Sequence, residues 1–276
     1  MTEPAATSET ALQALAIARR FTAARRAAKP LSGYPGDPPA DLGAAYAIQE
    51  AAIGLWPDEI AGWKIGKVPA EAQARIGASR IVGPIFAASV AVGEAGQFPL
   101  IEGGFAAVEA EVIYRLRADA PAGKIDWTED EALALVDDMH IGVEAAGSPL
   151  ATINELGPAV VVSDFGNNAG LIVGPAIPGW RERSPESLTC ATRVNGQEVG
   201  TGSAANLEGG PAACLAFLLG HAAARGRPLR AGSWVSTGQL TGIHDVKAGD
   251  EAVIDFGPLG QVRCRASAAQ AGGDRR

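Results

Sequence analysis

Glycine and proline recur so often in this 276-residue chain that a bundle of long helices is a poor solution for it. The sequence holds 35 glycines and 18 prolines, a larger share than folded proteins usually carry. Both residues are favoured in turns and disfavoured inside helices. The distribution therefore favours many turns and short strands, in a β-rich or mixed fold.

The overall composition is that of a folded protein with an acidic surface. Hydrophobic residues make up 47% of the chain, charged residues 20%, and the formal net charge is −8. Such a chain can bury one large core, or a core and a small satellite domain. Its negative charge repels phosphate backbones, which argues against broad binding to nucleic acids.

The cysteines and the N-terminus predict a cytoplasmic protein. Cys190, Cys214 and Cys264 are widely spaced and form no CxxC pair, so we expect reduced, structural thiols. Residues 1–9 carry acids and no basic segment ahead of an apolar stretch, and no later window offers about 18 uncharged apolar residues. We therefore expect neither a secretion signal nor a membrane partner.

The chain divides into a helical beginning and a strand-rich remainder. Residues 9–28 are rich in alanine and free of glycine and proline, which predicts an amphipathic helix. Asp41 is placed to cap a second helix. Short apolar runs broken by glycine or proline follow from Ile60 onwards. We therefore predict a helical region over 1–60, a β-rich catalytic domain over 61–267 and a polar tail over 268–276.

Several local signals within the strand-rich part are specific. Thr128 and Glu131 form a capping box that opens a helix predicted to end near His140. Asn195-Gly196 predicts a β-hairpin, and the apolar helix after Pro211 is expected to end at Gly226. Because helices and strands do not alternate regularly, the sheet is expected to be mixed and mainly antiparallel.

Glu109 and Glu111 are the residues with the clearest chemical potential. They are two apart in an otherwise apolar strand, so their side chains point to the same face. A buried pair of carboxylates requires a cation, and oxygen ligands suit Mg²⁺ or Mn²⁺. A solvent-facing strand with two acids is the commoner alternative. Glu144 is a candidate third ligand, or an ordinary acid at the end of an element.

Lys64 lies between tryptophan, isoleucine and two glycines in the segment GWKIG. A desolvated lysine can have a lowered pKa and act as a base, whereas an edge-strand lysine with its ammonium in solvent is an equally good interpretation. The sequence has no HExxH, GxSxG, P-loop or GxGxxG motif, which disfavours a zinc protease, an α/β-hydrolase and a nucleotide-binding protein.

Taken together, the motifs resemble those of the fumarylacetoacetate hydrolase superfamily, within it the hydratase/decarboxylase branch. The matching segments run in family order over about residues 40–265. They are AAYAIQ (44–49), GWKIG (62–66), VEAEV (108–112), VEAAGS (143–148), SDFGNNAGLIVG (163–174), NGQEVGTGSAANL (195–207) and STGQLTG (236–242).

The resemblance implies an α+β fold whose mixed, mainly antiparallel strands form a β-roll, with a small helical N-terminal region. It also implies a homo-oligomer that binds one Mg²⁺ or Mn²⁺ per subunit. The residues implied for the site are the metal ligands Glu109, Glu111 and Glu144, the catalytic Lys64, and the substrate-binding Gln73, Ser236, Thr237, Gly238 and Thr241.

The reaction implied is a metal-dependent lyase reaction on a small 2-oxoacid. Hydration of 2-keto-4-pentenoate (2-hydroxypenta-2,4-dienoate) to 4-hydroxy-2-oxovalerate is the first expectation, and Lys64 would move the proton or hold the substrate carboxylate. Decarboxylation of a 2-oxo-enedioate of the 4-oxalocrotonate type is the close alternative. C–C hydrolysis in the wider superfamily resembles a different arrangement, with a His/Glu dyad in the N-terminal part of the catalytic domain. It is disfavoured here because no histidine precedes His140.

Departures from the family pattern, above all the one before Gly83, keep a non-catalytic homologue, serving as an assembly partner, among the hypotheses; one of them replaces small hydroxyl residues after the K-x-G motif by residues 67–69. Family members carry an acid shortly before the glycine aligned with Gly83, where this chain has Arg80, Ile81 and Val82. The Asp-Ser-Arg that follows the third glutamate in the family is replaced by residues 147–149. The retained glutamates argue against loss of function, because three acids around an empty site are electrostatically costly.

Overall fold

The computed structural model describes residues 3–271, so residues 272–276 of the predicted polar tail lie outside the described residues. No helix within the described range is long and apolar enough to cross a membrane. The α-helices of this range are α1 (Glu3–Ala27), α2 (Leu42–Leu55), α3 (Ala70–Ile76), α4 (Glu129–Leu133), α5 (Pro158–Ser163) and α6 (Gly210–Ala224).

The strands are β1 (Ile60–Lys67), β2 (Arg80–Phe86), β3 (Val90–Val92), β4 (Ala95–Leu100), β5 (Phe105–Leu116), β6 (Val136–Ser148), β7 (Asn168–Ala176), β8 (Thr189–Val194), β9 (Gln197–Ser203), β10 (Trp234–Ser236), β11 (His244–Asp245), β12 (Glu251–Asp255) and β13 (Gln261–Ala268). They form two sheets. One sheet has the order β2-β1-β10-β5-β6-β7-β3, with β11 also paired to β5, and the other has the order β4-β13-β12-β8-β9.

Most neighbouring strands are antiparallel, as the sequence predicts. The parallel pairs in the described residues are β1 with β10, β3 with β7 and β4 with β13. The long strands β5 and β6 form the centre of the larger sheet and are paired from Phe105 to Leu116. The expectation of a mixed, mainly antiparallel sheet is confirmed.

One continuous hydrophobic core joins the helices to both sheets. It includes Phe21 of α1 and Leu218 of α6, together with apolar residues from β5, β6, β12 and β13. Cys190, Cys214 and Cys264 belong to the same core as buried free thiols. The prediction of reduced, structural cysteines is confirmed.

Helix α2 is fixed to the larger sheet by polar side chains as well as by apolar packing. The buried Gln49 amide donates to the carbonyl oxygens of Val82 and Val162, each at 2.9 Å. The Val82 amide donates to the Tyr46 hydroxyl at 3.0 Å. These contacts place α2 against β2 and α5, next to the strand that carries Lys64.

The turn signals in the sequence predict the structure correctly. Asn195 and Gly196 both have positive φ angles, 50° and 81°, and join β8 to β9 as a hairpin. Helix α6 ends at Ala224, and Gly226 follows with a φ of 71°, the left-handed conformation that glycine adopts most easily.

The helix predicted from Thr128 to His140 is wrong beyond its first turn. The capping box is present, but α4 ends at Leu133, and Met139 and His140 lie in β6. The reason is tertiary, because Val136 and the residues after it pair with β5 along its length. Pairing at the centre of a sheet outweighs the weak helical preference of this segment.

Two glycines allow backbone segments to approach more closely than any other residue would permit. A Cβ atom on Gly62 would lie 2.3 Å from the carbonyl oxygen of Trp234, and one on Gly83 would lie 2.2 Å from that of Phe165. Gly83 is directly opposite Lys64 in the β1–β2 pair. The segment that contains Phe165 therefore packs against the backbone of Gly83, beside Lys64.

We predict that Gly83→Ala destabilises the protein by about 3 kcal/mol, since overpacking against rigid backbone costs about this much. Gly54→Ala is the matched control, because a Cβ there meets nothing within 4 Å and alanine is favoured in a helix. Urea unfolding of both variants tests the prediction. Equal midpoints for Gly83→Ala and the wild type would contradict the close approach.

Candidate metal centre

Three carboxylates converge at the centre of the larger sheet. Glu109 and Glu111 are alternate residues of β5, so their side chains share one face, and Glu144 of β6 is directly opposite Glu109. Their exposed fractions are 4%, 0% and 0%. One oxygen from each carboxylate can be chosen such that all three lie within 4.8 Å of one another. The predicted ligands therefore come together in a buried cluster.

Lys64 completes this cluster from β1. Its Nζ atom lies 3.2 Å from Oε1 of Glu144 and donates to Oδ1 of Asn167 at 3.4 Å. The residue is 4% exposed, so the alternative of an edge-strand lysine with its ammonium in solvent is excluded. The β1–β10 pairing places Lys64 opposite Ser236.

The charge of the carboxylates controls the pKa of this lysine. Burial alone favours the neutral amine, but the charges of Glu144, Glu109 and Glu111 outweigh it and raise the pKa of Lys64 above its ordinary value. The lowered pKa that desolvation alone predicts therefore does not occur in this arrangement. Lys64 is an ammonium cation within the cluster of acids.

The carboxyl groups of Glu109 and Glu111 resist ionisation in the absence of further positive charge. Burial is the largest cause that raises the pKa of Glu109 to about 7; Lys64 opposes this rise and Glu144 adds to it. Burial also raises the pKa of Glu111 well above its ordinary value, aided by the charges of Glu144 and Glu109. One lysine is not enough to compensate three buried acids.

The cluster fits a hard divalent cation. Oε1 of Glu111 and Oε2 of Glu144 are buried and have no hydrogen-bond partner within the described part of the chain. Buried oxygens without a partner are costly, and a cation bound between them would satisfy both. An all-carboxylate donor set suits Mg²⁺ or Mn²⁺ better than the softer transition metals.

The end of β10 and the segment that follows it hold Glu111 in place. The Ser236 hydroxyl donates to Oε2 of Glu111 at 2.6 Å, and the Gly238 amide donates to the same oxygen at 2.8 Å. The Thr237 hydroxyl instead donates to the carbonyl oxygen of Val112 at 2.9 Å. Ser236 and Gly238 thus leave the other oxygen of Glu111 free to bind a ligand.

A cavity of ≈ 290 Å³ lies beside this segment, and its lining includes Thr237, Gly238 and Thr241. The residues Lys64, Glu109, Glu111 and Glu144 do not line it, but Gly238, which does, donates a hydrogen bond to Glu111. Gln73 does not line it either. The Gln73 amide donates to the carbonyl oxygen of Val68 at 3.0 Å, which ties the beginning of α3 to the chain before it.

Two asparagines that the sequence analysis did not select belong to the cluster. Asn168 donates to Oε1 of Glu144 at 3.0 Å, and Asn167 accepts the hydrogen bond from Lys64. The available signal was the pair of asparagines after Asp164, Phe165 and Gly166, since asparagine tolerates the left-handed backbone of tight turns. Their contact with β6 and β1 depends on packing that the sequence alone does not reveal.

Comparison with known proteins gives one family and a consistent fold. The family model described as fumarylacetoacetate (FAA) hydrolase, C-terminal, matches residues 109–267. The chain is 29% identical over 238 residues to 2-keto-4-pentenoate hydratase of Paraburkholderia xenovorans (strain LB400), which covers 83% of this chain and 85% of the relative. It is also 29% identical over 105 residues to 4-oxalocrotonate decarboxylase of Pseudomonas putida, which covers 38% and 40%.

Solved structures show the same architecture. 4-Oxalocrotonate decarboxylase from Pseudomonas putida G7, complexed with magnesium and adipate, superposes with a TM-score of 0.78 at 24% identity over 92% of this chain and 97% of that one. Fumarylpyruvate hydrolase from Pseudomonas aeruginosa, in complex with Mn²⁺ and pyruvate, superposes with a TM-score of 0.54 at 16% identity over 78% and 91%. The predicted fold class is confirmed.

We predict that the metal-free protein loses stability as its buried carboxyl groups ionise. The pKa of Glu109 is raised from 4.5 to about 7, so the stability from its protonated form is complete below about pH 4.5. It is lost as the pH rises through about 7. In chelator, the melting temperature of the wild type should fall relative to that of Glu109→Gln between about pH 5 and about pH 8.

The comparison with Glu109→Gln is needed because other groups titrate in the same range. Burial lowers the pKa of His221 to about 4, which makes the folded state more stable as the pH rises through the lower part of this range. That contribution is common to both proteins and cancels in the difference. A difference in melting temperature that does not change with pH would contradict the raised pKa.

Proposed function

Because this chain belongs to the fumarylacetoacetate hydrolase family, we propose that it is a divalent-metal-dependent lyase that acts on a small 2-oxoacid. The reaction we propose is hydration of 2-keto-4-pentenoate to 4-hydroxy-2-oxovalerate, with Mg²⁺ or Mn²⁺ as cofactor and a homo-oligomer as the working form. The observation that carries the proposal is the buried cluster of three carboxylates around one lysine.

In this proposal Glu109, Glu111 and Glu144 hold the cation. A Mg²⁺ or Mn²⁺ ion held there would supply Lewis-acid polarisation of a 2-oxoacid. Ser236 and Gly238 orient Glu111 through the hydrogen bonds to its Oε2 atom. Burial of the whole cluster excludes bulk water, which strengthens every electrostatic interaction within it.

Lys64 is proposed as the catalytic side chain. Its ammonium group donates hydrogen bonds within the cluster, and we propose that its Nζ atom holds the substrate carboxylate or delivers a proton. A charged donor fixed at this position stabilises the negative charge that develops on an enolate. Thr237, Gly238 and Thr241 line the adjoining cavity and are proposed to contact the substrate.

Hydration is preferred to decarboxylation because of how much of the chain each relative covers. The hydratase from Paraburkholderia xenovorans matches 83% of this chain, whereas the decarboxylase from Pseudomonas putida matches 38% at the same identity. The structural similarity to a decarboxylase, at 24% identity, supports the fold and not the reaction. Decarboxylation of a 2-oxo-enedioate is therefore the second candidate.

The test is ultraviolet-monitored consumption of 2-hydroxypenta-2,4-dienoate by the purified protein, with Mg²⁺ or Mn²⁺ added and then removed by a chelator. Formation of 4-hydroxy-2-oxovalerate that stops with the chelator is the expected result. A parallel assay measures carbon dioxide release from 2-oxo-3-hexenedioate, which would instead support the decarboxylase. No turnover of either compound by protein that binds Mn²⁺ would contradict the lyase and favour a non-catalytic homologue.

We predict that Glu111→Gln weakens Mn²⁺ binding by at least about 100-fold and abolishes metal-dependent turnover, because an uncharged amide replaces a ligand. The fold should persist, since Ser236 and Gly238 can still donate to the amide oxygen. Glu102→Gln, at an exposed glutamate just before β5, is the matched control. Titration of each variant with Mn²⁺ measures the effect, and unchanged affinity in Glu111→Gln would refute the assigned site.

We predict that Lys64→Met retains metal and loses most turnover, at least about 100-fold in kcat. Removal of the ammonium leaves the carboxylates without a competing cation, so Mn²⁺ should bind at least as tightly as in the wild type. Lys29→Met, at an exposed lysine, is the control. Full activity of Lys64→Met would remove Lys64 from the mechanism, and loss of Mn²⁺ binding would assign it to the metal site instead.

A further inference from the structure

The two asparagines beside the carboxylates are carried by an unusual turn. Phe165, Gly166 and Asn167 have consecutive positive φ angles of 55°, 63° and 55°. Only glycine adopts this conformation without a steric cost, so two of the three residues are strained. Strained backbone of this kind persists only where the surrounding structure imposes it, and it concentrates at functional sites. Contacts with neighbouring residues must therefore hold this turn in its left-handed conformation.

Arg25, in the last turn of α1, binds both ends of the turn. Its guanidinium makes a bidentate contact with the carboxylate of Asp164, with Nε to Oδ1 at 2.7 Å and Nη2 to Oδ2 at 2.9 Å. Its Nη1 donates to the carbonyl oxygen of Asn168 at 3.0 Å. Asp164 precedes the left-handed residues and Asn168 follows them, so a single rigid group fixes the distance between the two ends.

The same guanidinium also binds the strand that carries a carboxylate of the cluster. Nη2 donates to the carbonyl oxygen of Gly147 at 2.8 Å, three residues beyond Glu144 on β6. The guanidinium carbon lies 5.3 Å from the centre of the Phe165 ring. Arg25 therefore connects α1, β6 and the turn in one set of contacts.

These contacts are buried, which makes them well defined. The side chain of Arg25 is 11% exposed and that of Asp164 is fully buried. The Ser148 hydroxyl donates a further hydrogen bond to Oδ2 of Asp164 at 2.6 Å. A buried bidentate ion pair with satisfied oxygens has little freedom to rotate, and loss of one partner leaves a buried charge uncompensated.

From the turn the contacts lead directly into the cluster. The Asn168 side chain donates to Oε1 of Glu144, and Oδ1 of Asn167 accepts from Nζ of Lys64. The side-chain amide of Asn167 in turn donates a hydrogen bond to Oδ1 of Asn154 at 3.1 Å. A shift of the turn would therefore rotate a proposed metal ligand and the proposed catalytic lysine at the same time.

We propose that Arg25 is a positioning residue for the metal centre, which acts through Asp164 and the left-handed turn on Glu144 and Lys64. This inference rests on the proposed function, because it needs the carboxylate cluster to bind a divalent cation. It gives helix α1 a part in the site although α1 contributes no side chain to the cluster. Groups that orient metal ligands from outside the coordination sphere commonly change metal affinity about 10- to 100-fold.

The experiment compares Mn²⁺ affinity in the wild type, Arg25→Lys and Arg20→Lys, by electron paramagnetic resonance of free aqueous Mn²⁺. Lysine keeps the charge of Arg25 but has no planar guanidinium, so it cannot reproduce the bidentate contact with Asp164 together with the contact to Asn168. We expect an affinity about tenfold weaker or more in Arg25→Lys. Arg20→Lys, an exposed position on the same helix, should bind as the wild type does. Far-ultraviolet circular dichroism and a melting curve establish that each variant is folded.

The outcomes separate the two proposals. A wild type that does not bind Mn²⁺ would overturn the proposed metal centre and this inference with it. A wild type that binds Mn²⁺, together with folded Arg25→Lys that melts earlier but binds equally well, would overturn the inference alone and make Arg25 a purely structural anchor. If Arg25→Lys does not fold, Ser148→Ala, which removes one hydrogen bond to Asp164, must weaken Mn²⁺ binding, and unchanged affinity there overturns the inference.

Discussion

The strongest physical constraint on this structure is the repulsion among three carboxylates that share one buried face of a sheet. Glu109, Glu111 and Glu144 are brought there by strand register, and the core around them is apolar. Lys64 compensates part of their charge, and a second cation would satisfy the oxygens of Glu111 and Glu144 that have no partner in the described part of the chain. The fold therefore places an electrostatic cost at its centre that a divalent ion is well suited to remove.

The residues around the cluster orient two of its three carboxylates, those of Glu111 and Glu144, by one oxygen and leave the other oxygen free. Glu111 accepts two hydrogen bonds at Oε2, and Glu144 is bound at Oε1 by Lys64 and Asn168. The oxygens left over in both residues are those that are buried without a hydrogen-bond partner in the described part of the chain. If the cluster binds a metal as proposed, such an arrangement fixes the geometry of the proposed ligands before the metal binds, which is how a protein selects a coordination geometry.

Local sequence patterns predict the parts of the site that depend on local geometry. The strand period alone places Glu109 and Glu111 on one face, and the Asn195-Gly196 hairpin follows from turn chemistry. The position of Glu144 opposite Glu109 depends on the register between β5 and β6, which local sequence patterns do not reveal. The same long-range pairing is the reason why the helix predicted over the beginning of β6 was wrong. The asparagines of the left-handed turn depend on a tertiary approach and carry no local signal strong enough to select them.

The N-terminal helices supply hydrogen-bond donors to backbone carbonyl groups around the carboxylate cluster. The segment that the family model matches begins at Glu109, so α1 and α2 lie outside it. Side chains of these two helices nevertheless donate hydrogen bonds to the carbonyl oxygens of Val82, Val162 and Asn168. Buried carbonyls at the edge of a sheet or at the end of a helix or strand remain unsatisfied unless a side chain reaches them. Long amide and guanidinium side chains on helices that pack from outside can supply several donors at once. The turn beside the carboxylate cluster is thereby held by residues distant in sequence.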